Sequence, residues 1–522
     1  MKNILIGLSW PYANGRLHIG HAASSLPADT LARFHRMVGN KVALVSGSDC
    51  FGTPILVAAK AEGITPGELS DKYHQHHIND FKLLNFTFDN YTKTSSPIHG
   101  DFVREFHEKL YSSKYIYAKS QPQLYCPPCN KYLPDRYVEG VCPHCKSNAK
   151  GDSCDDCGKI LEPEDLIDPK CKLCSGTPTP RETKQLYLAL SKLETKIRKF
   201  FNEKKDNWSN NAVGLTGRYL NEGLHDRAIT RNIEWGIDLP PTAKTKFKLS
   251  DAEFAEKKIY IWAENVLGYL SASAPMKADK SYYVHAKDNI PFHSIILPSL
   301  LLAHPDTQNL PDVIVSSEYI RIADSKMSKS TGNLITIQDL ASRFDSDMIR
   351  FYFLRSVNDK KDVNFSIEDF KAVVNSELIN GFGNLVNRTL SFIKSKFDGE
   401  LDCGHVSLKD KDIFTRAGKF IEMGGMINHA LKTTIWTLVN EGNKLFDEYA
   451  PWKSIKDDMA KCKKDLGEVV TIIANLARLL YPFIPSACEK VAKWLGTTFD
   501  KWEAVTVGKI KLDSIEILWS RL

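Results

Sequence analysis

The chain has 522 residues, 43% hydrophobic and 25% charged, with a net charge of +6 from 69 basic and 63 acidic side chains. That length suits three or four domains, and that composition a globular protein with a sizeable core. No run reaches the roughly 18 uncharged apolar residues that cross a bilayer, and so mild a charge neither demands nor excludes a polyanionic partner. Met1-Lys2-Asn3-Ile4 lacks the layout of a signal peptide, so a cytoplasmic location is expected.

Ile4-Leu5-Ile6-Gly7-Leu8 is long enough for one buried strand and too short for a helix. Beyond Trp10-Pro11-Tyr12-Ala13-Asn14-Gly15-Arg16-Leu17-His18-Ile19-Gly20-His21, apolar residues recur at helical steps through Leu26, Phe34 and Met37. A strand feeding a helix through a Pro/Asn/Gly turn opens a nucleotide-binding parallel sheet, with its ligand at the helix start. His18 and His21 are placed there to donate hydrogen bonds to phosphate, and Gly20, lacking Cβ, lets a ligand approach the backbone. Four residues alone also suit two ordinary surface histidines. Val42-Ala43-Leu44-Val45 predicts the next strand, which leaves Asp49 at its carboxyl end, suited to a substrate ammonium or to a helix cap.

Residues 64–115 read as helical. Four Cys-x-x-Cys pairs then fall within about fifty residues poor in apolar content: Cys126/Cys129, Cys142/Cys145, Cys154/Cys157 and Cys171/Cys174. Such a segment needs metal to hold it together, and two knuckles complete one tetrahedral, fully sulfur-coordinated zinc site. One or two structural zinc ions are expected. The spacing permits sequential pairing (126/129 with 142/145, 154/157 with 171/174) or nested pairing (142/145 with 154/157, 126/129 with 171/174). The remaining cysteines, Cys50, Cys403, Cys462 and Cys488, are scattered and read as buried small hydrophobes.

Residues 181–222 return to helix, and Ile259-Tyr260-Ile261-Trp262 alternates as a strand would. Val313-Ile314-Val315 predicts another strand. Lys326-Met327-Ser328-Lys329-Ser330 follows, its two compact ammonium charges suited to clamping polyphosphate. From about residue 366 the pattern is all-helical, with Phe370, Leu378, Phe382, Leu390 and Ile393 on one stripe and Asn380, Asn384 and Arg388 four apart on another. Pro451 ends a helix and presents Trp452 at a corner, as stacking on an unpaired base requires.

The His-Ile-Gly-His turn and the Lys-Met-Ser-Lys-Ser loop, in this order and about 300 residues apart, resemble the two signatures of class I aminoacyl-tRNA synthetases. Pro11-Tyr12-Ala13-Asn14-Gly15 narrows the resemblance to the methionyl branch. It implies a Rossmann-like α/β catalytic domain with a parallel sheet (1–115 and 226–322), interrupted by a zinc-knuckle connective insertion (116–225). A signature-lysine loop and linker (323–365) and an all-α anticodon-binding bundle (366–522) would follow. By that resemblance His18, His21, Lys326 and Lys329 are catalytic; His18, Gly20, His21, Lys326, Ser328 and Lys329 bind ATP with Mg²⁺. Tyr12, Asp49, Trp262, Tyr269 and His293 bind methionine, and Asn384, Arg388, Pro451 and Trp452 read the anticodon. The resemblance favours nested cysteines, methionine and tRNA(Met) as substrates, no membrane partner, and a monomer. The sequence departs from the commonest pattern at Asn265-Val266, Ala286 and Asn289, which bears on the amino-acid pocket. The rival readings are a class I synthetase for another apolar amino acid, a cofactor-making adenylyltransferase and a zinc-knuckle RNA-binding protein. The adenylyltransferase needs neither the knuckles nor the helical tail, and the RNA-binding protein leaves the paired signatures unexplained.

Overall fold

The structure, a computed structural model, describes every residue except 135–136, 152, 155, 160, 307–308, 323–324 and 327–333, and of Ser325–Lys326 only the backbone. Its organising element is a five-stranded parallel sheet of β1 (Asn3–Leu8), β2 (Lys41–Ser48), β3 (Asn90–Lys93), β4 (Lys280–Ala286) and β5 (Val313–Ser317), in the spatial order β5-β4-β1-β2-β3. Strand order reverses at β1, so the crevice beyond the carboxyl ends of β1 and β4 is where a ligand fits such a sheet.

Strands β1, β4, β5 and the second half of β2 are buried on both faces, and period-2 alternation divides them between two cores. Ile4, Ile6 and Leu8 face one core with Tyr282, Val284, Val313 and Val315, while Leu5, Val45, Tyr283 and Ile314 face the other. The first core also holds helix α1 (Ile19–Met37) and continues without a break into the C-terminal helices. Wedged between sheet and helices, α1 is buried almost throughout, and its small Ala22-Ala23-Ser24-Ser25 stretch suits that double packing. Gly7 interrupts the apolar run of β1 because Tyr269 lies against it: a Cβ there would stand 2.6 Å from the ring.

One buried charge cluster joins α1 to the bundle. Arg350 is fully buried, donates to the carbonyls of Leu84 (2.9 Å), Pro482 (3.0 Å) and Phe483 (2.8 Å), and pairs with Asp29 at 2.8 Å. Burial alone would raise the Asp29 carboxyl, but Arg350 and Arg33 hold it below the usual carboxylate range.

Three expected elements differ. Residues 64–115 are two helices, Pro66–Leu83 and Pro97–Leu110, separated by the edge strand β3. Residues 181–222 begin as the end of a strand, Thr179–Leu188, before the helices Leu190–Lys204 and Asn210–Glu222. The strand expected at residues 259–262 stops at Ile259; Tyr260 donates its backbone N–H to Ile229 and the helix Ile261–Glu264 starts there. In the C-terminal region the helix Ile367–Val373 passes through a wide π-type segment, Val374–Gly383, into Asn384–Lys396. Asn380 is exposed there, whereas Asn384 and Arg388 are half-buried.

Candidate active site and metal clusters

The turn after β1 places two imidazoles at the start of α1. The Gly20 N–H donates to His18 Nδ1 (3.1 Å), and the His18 N–H donates to His21 Nδ1 (3.2 Å), a reciprocal cap at the helix N-terminus. A ring nitrogen that accepts from a backbone N–H carries no proton, so both rings are set in the Nε2–H tautomer. Each therefore presents a donor, with the ring centroids 3.9 Å apart.

The chain just beyond the lysine segment Lys326–Ser330 returns to this turn. Of that segment, Met327, Ser328, Lys329 and Ser330 lie outside the described residues, and for Lys326 only its strand pairing with Arg321 is described. Its flanks are fixed at both ends. Downstream, the Ile19 N–H donates to Ile335 (3.0 Å) and the Ile337 N–H to Leu17 (3.0 Å), which sets His18 opposite Thr336. Upstream, Asp362 accepts from Arg321 Nε (2.6 Å) and from Lys287 Nζ (2.6 Å), and Lys287 also donates to Glu318 (2.5 Å). Burial would raise the Asp362 carboxyl, yet these cations pull it down to about 2. The root of the segment is thus tied to the residue that follows β4.

The residues expected at the amino-acid pocket are contiguous. Asp49 and Tyr12 bridge side by side: the Asp49 N–H donates to Pro11 and the Ala13 N–H to Asp49, both at 2.8 Å. Asp49 is buried, its Oδ1 accepting from the Phe51 N–H (3.2 Å) and its Oδ2 from Asn265 Nδ2 (2.7 Å). Four residues beyond Asn265, Tyr269 meets His293 at 2.7 Å. His293 lies in a π-type turn, Phe292–Ile296, with its Nδ1 2.9 Å from the Asn289 carbonyl. Nδ1 is therefore the protonated nitrogen, Nε2 accepts, and the Tyr269 O–H donates; burial lowers His293 to about 4, which keeps it neutral. Trp262 packs edge-on against Phe292, centroids 4.7 Å apart.

Other contributors had no local sequence signal. His99, 165 residues away, lies 2.8 Å from Glu264 and 2.9 Å from Ser271. Burial raises Glu264 well above the carboxylate range and lowers His99 to about 4. The pair is neutral, with Glu264 donating to His99 Nε2, Nδ1–H to Ser271, and Ser271 to the Gly268 carbonyl (3.1 Å). Asn265 is visible in the sequence only as a departure from the family pattern.

In the insertion the eight cysteines form two clusters, Cys126/Cys129/Cys171/Cys174 and Cys142/Cys145/Cys154/Cys157, with all four sulfurs of each within 4.8 Å of one another. This is the nested arrangement. Sulfur separations of 3.4 and 3.9 Å in the first and 3.8 and 3.5 Å in the second fit the edge of a tetrahedron built on Zn–S bonds of about 2.3 Å. Each knuckle is followed by a residue with positive φ: Asn130 (51°), Lys146 (65°), Gly158 (69°) and Ser175 (59°). Three of the four are not glycine, and that backbone costs roughly 1–2 kcal/mol each, a strain that a metal held there would offset.

On the bundle, Arg388 pairs with Asp447 and lies 4.6 Å over the Phe446 ring, which is 6.1 Å from Trp452. Ala450, at φ 41°, turns the chain between the helices Trp436–Tyr449 and Pro451–Asp457; Pro451 is buried and Trp452 is 44% exposed. No helix is long and apolar enough to cross a membrane among the described residues.

Comparison with known proteins agrees over both parts of the chain. The family described as tRNA synthetases class I (M) matches residues 4–390, and the anticodon binding domain of methionyl tRNA ligase matches residues 428–515. The methionine–tRNA ligase of Streptococcus pneumoniae strain CGSP14 is 40% identical, covering 100% of this chain and 96% of the relative. That of Bacillus mycoides strain KBAB4 is 41% identical, covering 100% and 97%. Mycobacterium tuberculosis methionyl-tRNA synthetase, solved with methionyl-adenylate, shares the fold with a TM-score of 0.81 at 22% identity, covering 100% of both chains. This chain belongs to the methionyl-tRNA synthetases of class I.

Proposed function

We propose that the crevice beyond β1 and β4 divides methionine activation among the residues gathered there. The enzyme is a methionine–tRNA ligase: it joins methionine to tRNA with conversion of ATP to AMP and pyrophosphate. A methionine carboxylate oxygen attacks the α-phosphorus, the bond to the bridging oxygen breaks, and pyrophosphate leaves. Such a transfer asks the protein for position and charge, not for a covalent intermediate. His18 and His21 donate Nε2–H to the phosphates beside Gly20, whose bare backbone admits the nucleotide. Lys326 and Lys329, with Ser328, close over the leaving pyrophosphate, whose charge Mg²⁺ carried by ATP shares. Asp49 holds the substrate ammonium, while Tyr12, Trp262, Tyr269 and His293 enclose the thioether. The terminal ribose hydroxyl of tRNA(Met) then attacks the activated carbonyl and AMP departs.

The two Cys₄ clusters would hold structural zinc through four thiolates each, shaping the insertion without entering the reaction. Asn384, Arg388, Pro451 and Trp452 bind the anticodon, and the enzyme acts as a cytoplasmic monomer. The observation that supports this reading is the pairing of residues 17–19 with residues 335–337, which sets the stretch just after the lysine segment beside His18. Methionine-dependent exchange of labelled pyrophosphate into ATP tests it. Lys329→Ala is expected to slow exchange by on the order of 100-fold with little change in methionine affinity; a near-normal rate removes the lysine from the mechanism.

A further inference from the structure

Asp49 and Asn265 are 216 residues apart in sequence and come from the two halves of the catalytic region, yet their side chains meet at 2.7 Å. A carboxylate only accepts, so the amide must turn its NH₂ toward Asp49. The Asp49 backbone is already fixed by its two hydrogen bonds with the Pro11 and Ala13 segment. The next carbonyl, Cys50, accepts from the Trp235 indole at 2.6 Å. What remains free at such a residue is side-chain rotation, and two donors stop it: the Phe51 N–H on Oδ1 and the Asn265 amide on Oδ2. Asn265 is itself firmly seated. It opens the short turn Asn265–Leu267 directly after Glu264, which the buried His99–Ser271 chain holds from behind.

We infer that Asn265 is a positioning residue for amino-acid recognition, fixing the Asp49 carboxylate in the orientation that receives the substrate's ammonium group. The inference rests on the ammonium role given to Asp49 above. Asn265 acts through Asp49 and makes no contact with the reacting atoms. Presetting the carboxylate removes a rotational cost from binding, so the effect falls on substrate affinity and not on the chemical step. It also follows that ligands of the same pocket divide into two classes, those that carry an ammonium and those that do not.

The test uses the full-length enzyme with three probes: methionine, methioninol (ammonium kept, carboxylate reduced) and 4-(methylthio)butanoate (ammonium absent). Asn265→Ala is expected to raise the methionine KM in pyrophosphate exchange about tenfold and to weaken methioninol inhibition equally, with kcat and inhibition by 4-(methylthio)butanoate unchanged. Asn265→Ser serves the same comparison if the alanine variant fails to fold. Equal weakening of both inhibitors would mean a general collapse of the pocket and overturn the inference, as would no weakening of either. Asp49→Ala separates the two readings. If it leaves the methionine KM unchanged, the ammonium role of Asp49 falls and this inference with it. If it raises KM while Asn265→Ala does not, only the positioning role falls. In the Asp49→Ala background, Asn265→Ala is expected to add nothing; a further tenfold loss would show that Asn265 acts by another route.

Discussion

At the carboxyl edge of the sheet, His18 and Asp49 are set by backbone hydrogen bonds above a continuous apolar core. At the insertion the apolar cluster is small, and among the described residues four of its twelve buried members are cysteines. The first region can hold its geometry without help; the second has little besides its thiol clusters to hold it. Chemistry that depends on position is built on the sheet, and the proposed metal would serve a segment too poor in apolar residues to fold unaided.

Metal removal should therefore separate the two regions most sharply. Stripping zinc forfeits on the order of 10 kcal/mol of folding energy in the insertion, so proteolysis between residues 126 and 174 should precede any cleavage of the sheet. Paired substitutions also test the nesting. Zinc content by mass spectrometry should fall to one ion per chain in Cys126→Ser/Cys174→Ser and to none in Cys126→Ser/Cys145→Ser; sequential pairing reverses the two results.

A core with a buried charge has its own weak point. Arg350→Met leaves Asp29 buried with Arg33 as its remaining cation and strips a donor from three carbonyls. The cost is about 3–5 kcal/mol, measurable by urea unfolding. A variant as stable as the wild type would show that the apolar contacts alone join α1 to the bundle.

The sheet region also carries an acid sensitivity of its own, set by buried histidines. Burial lowers His35, His99, His107 and His293 from the ordinary histidine value of 6.5 to about 4. In the unfolded chain each takes up a proton below pH 6.5; in the folded protein it does not until about pH 4. Their stabilisation is thus complete above pH 6.5 and is lost as pH falls toward 4, about 2 kcal/mol per side chain at pH 5. Thermal unfolding at pH 7 and pH 5 reads this directly, and an unchanged melting temperature would contradict the buried, neutral histidines.

The same contrast explains what the chain discloses before it is folded. β1, β2 and β5 announce themselves because strands buried on both faces are uninterrupted apolar runs, whereas β3 is Asn90-Tyr91-Thr92-Lys93, half-buried at an edge and silent. The residues at 259–262 alternate like a strand, but the hydrogen bond from Tyr260 to Ile229, a distant partner, turns the chain early. Each Cys-x-x-Cys pair is legible because both ligands are local. Their pairing is not, since it is set by strand register: Ile116–Cys126 runs antiparallel to Thr179–Leu188, with Tyr125 opposite Thr179, and this closes the outer knuckles on each other. The histidine tautomers and the Asn265–Asp49 contact depend on angles and on residues hundreds of positions away, where no spacing rule reaches.

The smallest expected effect lies farthest from both regions. Trp452 is half-exposed on a corner whose shape owes nothing to metal: Ala450 supplies the turn, Pro451 starts the next helix, and Phe446 supports both Trp452 and the Arg388 guanidinium. Stacking of one base on such a ring contributes about 1–3 kcal/mol, so Trp452→Ala should raise the KM for tRNA by roughly 5- to 150-fold. Methionine-dependent pyrophosphate exchange involves no tRNA and should keep its rate. Exchange and aminoacylation falling together would make Trp452 a folding residue; an Arg388→Ala variant that weakens tRNA without touching exchange would then place recognition on the guanidinium.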